Sequence, residues 1–150
     1  MRRGISLLVL VPALAAALAC TGNGSGLPTP QEECSMPEGS LPFPPRLSCL
    51  QQNVFTPACA TSGCHSGAAP RVGLDLEEGK SYAALVNIPC VEQPALFRVK
   101  PGDPPLSYLV RKVEGGPAIS GAQMPLNATP LTTAERAVLR AWIASGAPDN

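Results

Sequence analysis

The stretch Cys59-Ala60-Thr61-Ser62-Gly63-Cys64-His65 decides how this chain folds, because it gathers two thiols and the chain's single histidine within seven residues. A cysteine pair followed directly by histidine is typical of covalently attached c-type haem. Two thioether bonds would fix the porphyrin, and His65 would then supply a neutral imidazole as the proximal iron ligand. Four residues separate the cysteines, where the usual number is two, and we expect the small residues 61–63 to let the longer loop bulge outward.

Three other interpretations of this cluster stay open at the level of sequence. A Zn²⁺ site would use Cys59, Cys64 and His65 with Cys49 or Cys90 as fourth ligand, although adjacent residues seldom both reach one tetrahedral ion. A redox dithiol would want two intervening residues and a lowered thiol pKa, in a βαβ context that the sequence does not show. The third is a structural disulfide beside a solvated histidine. We favour haem.

The composition predicts one small domain with much loop. The chain has 150 residues, of which 14 are glycine and 18 are proline, and its aromatic residues are three Phe, two Tyr and one Trp. So few aromatic side chains make a thin core, which a bound cofactor would fill. The 11 basic and 11 acidic side chains balance, and no basic cluster occurs. We therefore expect no nucleic-acid partner, because phosphate neutralisation needs a positive face.

The N-terminus has the pattern of an export signal. Residues 1–19 combine two arginines, an apolar run interrupted by Pro12 and a small-residue exit, which predicts a signal peptide rather than a membrane-spanning helix. Cys20 follows a sequence similar to a lipobox, so we expect it to be lipidated and to anchor the protein on the periplasmic side of a bacterial membrane. The alternative is a soluble periplasmic protein. Residues 20–46, rich in Gly, Ser and Pro, are predicted to be a flexible linker.

Four helix-like stretches lie between residues 47 and 147, and strand alternation is absent from the pattern. The spacing predicts helices over 47–55 and 80–86, and a third that Asp103 caps and Gly115 ends. The fourth has the strongest signals, because Thr132 and Glu135 form a capping box before an apolar stripe. The prediction is a small all-α domain over residues 47–150.

The order of these elements resembles the cytochrome-c-like domains of exported bacterial lipoproteins, as in planctomycetes and myxobacteria. The pieces that carry the resemblance are residues 59–70 (Cys-x4-Cys-His, then Ser-Gly-Ala-Ala-Pro), 73–76 (Gly-Leu-Asp-Leu), 98–103 (Arg-Val-Lys-Pro-Gly-Asp), 123–125 (Gln-Met-Pro), 131–132 (Leu-Thr) and 142–147 (Trp-Ile-Ala-Ser-Gly-Ala). The resemblance implies a class I cytochrome c fold around one covalent haem c, with the C-terminal helix packed back on the first.

Met124 is the expected second iron ligand. It is the only methionine within the predicted domain, because Met1 belongs to the signal and Met36 to the linker. Its place in a loop before the last helix matches the resembling family, and Trp142 on that helix would close the haem edge. The alternative is that Met124 plugs a gap in the core.

The remaining cysteines are odd in number if haem and lipid use three of the six. We expect a disulfide between Cys49 and Cys90, because the resembling domains commonly carry small residues at both places. In the rival arrangement Cys20 is not lipidated and pairs with Cys34.

The expected function is one-electron transfer between redox partner proteins, with no catalysis by the chain itself. A ligated His65 leaves no histidine for a catalytic triad, and a haem with both axial positions filled offers no open site. The alternative is a haem-free, disulfide-stapled lipoprotein that acts as an interaction module.

Overall fold

The computed structural model describes residues 29–150, so the predicted signal peptide and Cys20 lie outside the described residues. The α-helices of this part are Pro30–Glu33 (α1), Leu47–Leu50 (α2), Ser81–Leu85 (α3), Tyr108–Glu114 (α4) and Thr133–Ala144 (α5). A π-helix over Gln51–Cys59 continues α2, and short 3-10 turns cover Arg71–Gly73 and Pro104–Leu106. Residues 29–150 form isolated β-bridges but no strand. The prediction of a small, mostly helical domain with long loops is confirmed.

The last helix forms as the sequence predicts. The Thr132 hydroxyl accepts a hydrogen bond from the Glu135 N–H at 3.2 Å, and the Glu135 carboxylate accepts one from the Thr132 N–H at 2.7 Å. This capping box satisfies two N–H groups that would otherwise lack partners at the start of α5. The apolar stripe of α5 is fully buried and consists of Val138, Leu139, Trp142 and Ile143. The helix therefore packs into the core with the apolar face that the spacing of its hydrophobic residues predicted.

The first predicted helix is longer than expected and changes its type. The sequence predicts an end before Pro57, but a π-helix runs through Pro57 to Cys59. Proline in an α-helix clashes with the carbonyl four residues earlier. In the wider π turn, the Ala60 N–H bonds instead to the carbonyl of Phe55, five residues back, at 2.7 Å. As a result, the helix delivers Cys59 at its C-terminal end.

The third predicted helix is divided into two parts. Asp103 caps the 3-10 turn Pro104–Leu106, with its carboxylate accepting from the Leu106 N–H at 3.1 Å. The α-helix proper then begins at Tyr108 and ends where Gly115 adopts a φ of +80°. A backbone with this φ favours glycine, so the predicted C-terminal stop is confirmed.

The main core gathers the buried faces of α2, α4 and α5. The C-terminus also closes onto α2, because the Asn150 carbonyl accepts from the Ser48 N–H at 2.8 Å and its side chain accepts from Leu47. Trp142 is completely buried in this core and donates to the Pro148 carbonyl at 2.9 Å. A smaller cluster forms beside it from Cys90, Leu96 and Tyr108.

The predicted disulfide between Cys49 and Cys90 is wrong. Cys49 is bonded to Cys34, with a Cα–Cα distance of 5.3 Å, and this bond also excludes the rival pairing of Cys20 with Cys34. Cys49 belongs to the main core and Cys90 to the smaller cluster, so the fold separates them. Cys90 is a buried free thiol.

The folded part begins earlier than the predicted boundary at residue 47. Phe43 is buried in the main core, and the disulfide joins Cys34 to α2. A segment with four prolines between 37 and 45 suggested a linker, but one aromatic anchor and one covalent bond hold it to the domain. Between residues 29 and 150, no helix combines the length and the apolarity needed to cross a membrane.

Candidate functional site

Hydrogen bonds close the loop between the two cysteines of the 59–65 stretch. The His65 N–H donates to the Cys59 carbonyl at 3.2 Å, and the Cys64 N–H donates to the Thr61 carbonyl at 3.0 Å. Gly63 turns the chain with a φ of +76°, a conformation that residues with a Cβ rarely adopt. Residues 61–63 are exposed, whereas both cysteines are half-buried. Residues 61–63 therefore bulge into solvent, as the sequence predicts, while Cys59 and Cys64 stay partly buried at the two ends of the bulge.

His65 is half-buried, and its Nδ1 lies 3.2 Å from the carbonyl oxygen of Leu74. A carbonyl oxygen only accepts, so Nδ1 carries the proton and Nε2 keeps its lone pair. Burial lowers the pKa of His65, outweighing the Leu74 carbonyl, which raises it. A neutral ring with a free Nε2 is the form that binds a metal. The accepting carbonyl belongs to Leu74, the residue directly after the 3-10 turn Arg71–Gly73.

A cavity of about 710 Å³ opens beside this histidine. It is lined by all four residues that were predicted to bind haem, which are Cys59, Cys64, His65 and Met124. Much of the remaining lining is apolar and includes Leu74, Leu76, Leu85, Leu109 and Val113. Cavities that hold cofactors are mostly apolar with a few placed polar groups, and they enclose roughly 300–1,000 Å³. The size and chemistry of this cavity fit a haem group.

The Cys59 thiol has the wrong character for a redox dithiol. Burial raises the pKa of the Cys59 thiol to about 11, and the neighbouring Cys64 adds to the rise. An exchanging thiol needs a lowered pKa, because the thiolate is the nucleophile. Both cysteines are also unpaired, and His65 is hydrogen-bonded rather than solvated, which disagrees with the interpretation as a simple disulfide.

The zinc interpretation finds no support in the geometry. Cys49, one of its two candidates for a fourth ligand, is held in the disulfide. Across the part of the chain that the structure describes, no three His, Cys, Asp or Glu side chains are grouped so as to hold a metal ion. An axially ligated haem iron does not need such a group, since the protein supplies only two ligands to it.

Met124 reaches the cavity from a loop that is attached to α4. Its N–H donates to the Lys112 carbonyl at 2.8 Å, and the Gln123 side chain donates to the Val113 carbonyl at 2.9 Å. Earlier in the loop, the Ser120 N–H donates to the Tyr108 hydroxyl at 2.8 Å. These bonds hold the loop against α4, and Met124 lines the same cavity as His65. The structure thus brings together all the residues predicted to bind haem.

Several cavity residues were not identified as site residues from the sequence. These are Arg71, Arg98 and Lys112, which bring positive charge to the lining. Cys90, which the sequence had suggested as a disulfide partner or a zinc ligand, instead brings a third free thiol to the cavity. Lys112 is paired with Glu92 at 3.4 Å, so its charge is partly balanced. The expectation that Trp142 closes the haem edge is wrong. It does not line the cavity but is buried in the core, because α5 turns its apolar stripe toward α2 and α4.

Comparison with protein-family models, with curated proteins and with solved structures finds no match to this chain.

Proposed function

We propose that this chain is an exported mono-haem c-type cytochrome that transfers single electrons. The observation that carries the proposal is the convergence of Cys59, Cys64, His65 and Met124 on one apolar cavity of about 710 Å³. These residues are 65 positions apart at the extremes, and no local feature of the chain requires them to meet. A site for covalent haem needs two thiols, an imidazole and a second axial ligand in one place.

In this proposal, Cys59 and Cys64 would hold the porphyrin through thioethers, and His65 and Met124 would be the axial ligands. When bound, haem supplies an iron that changes reversibly between the ferric and ferrous states. The Leu74 carbonyl fixes the plane and tautomer of the His65 ring and raises its basicity. The apolar lining keeps water away, and a thioether ligand raises the reduction potential relative to a second imidazole. Because His65 and Met124 would both be taken up as iron ligands, the proposed role is electron transfer without catalysis by the chain itself.

The proposal extends to the location of the protein. The predicted signal peptide and a lipid on Cys20 would hold the domain on the periplasmic side of a bacterial membrane, where donor and acceptor proteins exchange electrons with it. The Cys34–Cys49 disulfide supports an oxidising compartment, since such bonds persist where thiols are not kept reduced.

Haem staining on a denaturing gel tests the proposal. The full chain, with its own signal, is produced in a bacterium that attaches c-type haem. The wild type is expected to stain, and a Cys59→Ala/Cys64→Ala double variant is expected to lose the stain. Cys90→Ala is the matched control, because Cys90 is the third free thiol at the same cavity, and it should keep the stain. A colourless wild type would support the haem-free interaction module instead, and staining that survives the double variant would exclude the thioether assignment.

A further inference from the structure

Arg98 lines the cavity, and its guanidinium donates hydrogen bonds to three backbone carbonyls. Its Nη2 donates to the Val72 carbonyl at 2.7 Å, while Nη1 donates to the carbonyls of Gly73 at 3.2 Å and Ala84 at 2.9 Å. Two of these carbonyls belong to consecutive residues, which lie more than twenty positions before Arg98 in the chain. One guanidinium therefore ties the turn at residues 72–73 to the end of α3.

The turn that Arg98 holds is strained. Val72 has a φ of +50°, and Gly73 follows with a φ of +63°. Glycine adopts this region without cost, but valine, with its branched Cβ, is a genuine outlier there. Such a conformation persists only where the surroundings impose it. Besides the main-chain bonds from Gly73 to Pro70 and from Leu74 to Arg71, the bonds from Arg98 to both carbonyls of the turn hold this conformation.

The strained turn leads directly to the partner of His65. Leu74 follows Gly73, and its carbonyl accepts from Nδ1 of His65 at 3.2 Å. Two residues later, the Leu76 N–H donates to the His65 carbonyl at 2.8 Å. The position of the Leu74 carbonyl therefore depends on the conformation of the two residues before it.

We propose that Arg98 is a positioning residue for the axial histidine. By holding the carbonyls of Val72 and Gly73, it fixes the Leu74 carbonyl against Nδ1 of His65 and keeps the ring in one plane and one tautomer. This inference rests on the proposed function, because it assigns Arg98 a role toward the ligand of the haem iron. It differs from a role as a simple positive charge at the cavity, which any cation would fill.

Substitution of Arg98 by lysine separates these two roles. Lysine keeps the charge but lacks the planar fork that bonds several carbonyls at once. If Arg98 positions the turn, the haem-loaded Arg98→Lys protein loses part of the hydrogen bond at Nδ1. The imidazole then donates less electron density to iron, which favours the ferrous state. We expect the midpoint potential to rise, with a change of about tenfold in the ferric-to-ferrous ratio at a fixed potential, or about 59 mV for one electron.

Two further variants complete the experiment. Arg111→Lys is the matched control, because Arg111 bonds a single carbonyl, that of Pro105, and does not line the cavity. Its potential should equal that of the wild type. Adding Val72→Gly to Arg98→Lys removes the strain that Arg98 offsets, so the double variant should return toward the wild-type potential.

The outcomes distinguish this inference from the proposed function. A haem-loaded Arg98→Lys protein with the wild-type potential would overturn the positioning role and leave the haem assignment intact. A raised potential that Val72→Gly does not move back would overturn it as well, because the effect would then not pass through the turn. A wild type without haem would overturn both.

Discussion

The loop that carries His65 and the loop that carries Met124 reach the same cavity, but different kinds of contact hold them. Three main-chain bonds span the His65 loop, from His65 to Cys59, from Arg71 to Cys64 and from Leu76 to His65, and the Arg71 and Arg98 side chains bond further carbonyls of it. The Met124 loop rests on α4 through a tyrosine hydroxyl, a lysine and a glutamine side chain as well as one main-chain bond. Residues 126–130, which follow Met124, are exposed.

This difference separates two requirements of the proposed site. The His65 side has to present two sulfur atoms and one ring nitrogen in fixed positions, and main-chain bonds together with the arginine bonds to loop carbonyls provide that rigidity. The Met124 side has to supply only one flexible thioether, for which a loop supported at a few points is sufficient. Loss of Cys59 and Cys64 or of His65 should therefore remove the haem or its histidine ligation, whereas loss of Met124 should alter the properties of a haem that stays attached.

The largest effect is expected from His65→Ala. This variant removes the proximal ligand while both thiols remain, so the exported protein should lack the absorption spectrum of a histidine-ligated haem. Absorption spectra of wild type and variant, compared at equal protein concentration, measure the effect. If His65→Ala kept the wild-type spectrum, His65 would not be the proximal ligand of the iron.

Met124→Ala should leave the haem covalently attached and change its potential. Loss of the thioether should lower the midpoint potential, because methionine ligation raises it. The weak far-red absorption of thioether-ligated ferric haem should also disappear. Met36→Ala is the matched control, since Met36 is an exposed methionine outside the cavity, and both properties should stay unchanged in it. A Met124→Ala protein with the original potential and far-red band would show that another group holds the sixth position.

The Cys34–Cys49 disulfide should contribute stability without tuning the site. The bond closes a loop of 15 residues, and a loop of this length is worth about 3 kcal/mol in the chain-entropy model. We expect the Cys34→Ser/Cys49→Ser variant to lose about this much free energy of unfolding in a denaturant titration, with the midpoint potential unchanged. Peptide mapping under non-reducing conditions that found Cys49 joined to Cys90 would contradict the assignment.

The smallest expected effect lies on the Met124 side, at the ion pair between Glu114 of α4 and Arg140 of α5. Arg140 makes two bonds to the carboxylate, at 2.6 and 2.7 Å, and lowers the pKa of Glu114. Both side chains are partly exposed, so the pair is worth at most about 1 kcal/mol. A lowered carboxyl pKa gives stability that is present above the ordinary pKa and is lost as the pH falls through the lowered one.

Glu114→Gln should therefore be slightly less stable than the wild type near neutral pH, and the difference should vanish in acid. Denaturant titrations of both proteins at neutral and acidic pH measure it. A deficit that grew as the pH fell would mean that the carboxylate does not act through this pair.

The sequence predicted the elements that depend on local chemistry. The capping box at Thr132 and Glu135, the stop at Gly115 and the outward bulge of residues 61–63 all follow from the properties of neighbouring residues. The sequence also indicated Met124 as a site residue, because no other methionine lies in residues 47–150. The structure then places this residue at the same cavity as His65.

The errors concern contacts between distant parts of the chain. Cysteine connectivity cannot be deduced from spacing, so the partner of Cys49 depended on where the segment around Cys34 folds. Phe43 and Trp142 were misplaced for the same reason, since tertiary packing decides which side chains the core takes. Arg98 gave no signal as a site residue because its three acceptors are backbone carbonyls, which every residue has.

The absorption spectrum of the exported wild-type protein, recorded oxidised and then reduced, tests the central claim most directly. The account predicts a Soret band, sharp α and β bands on reduction, and a weak far-red band in the oxidised form that marks the Met124 thioether on the iron. A protein exported in folded form without a Soret band would contradict the account.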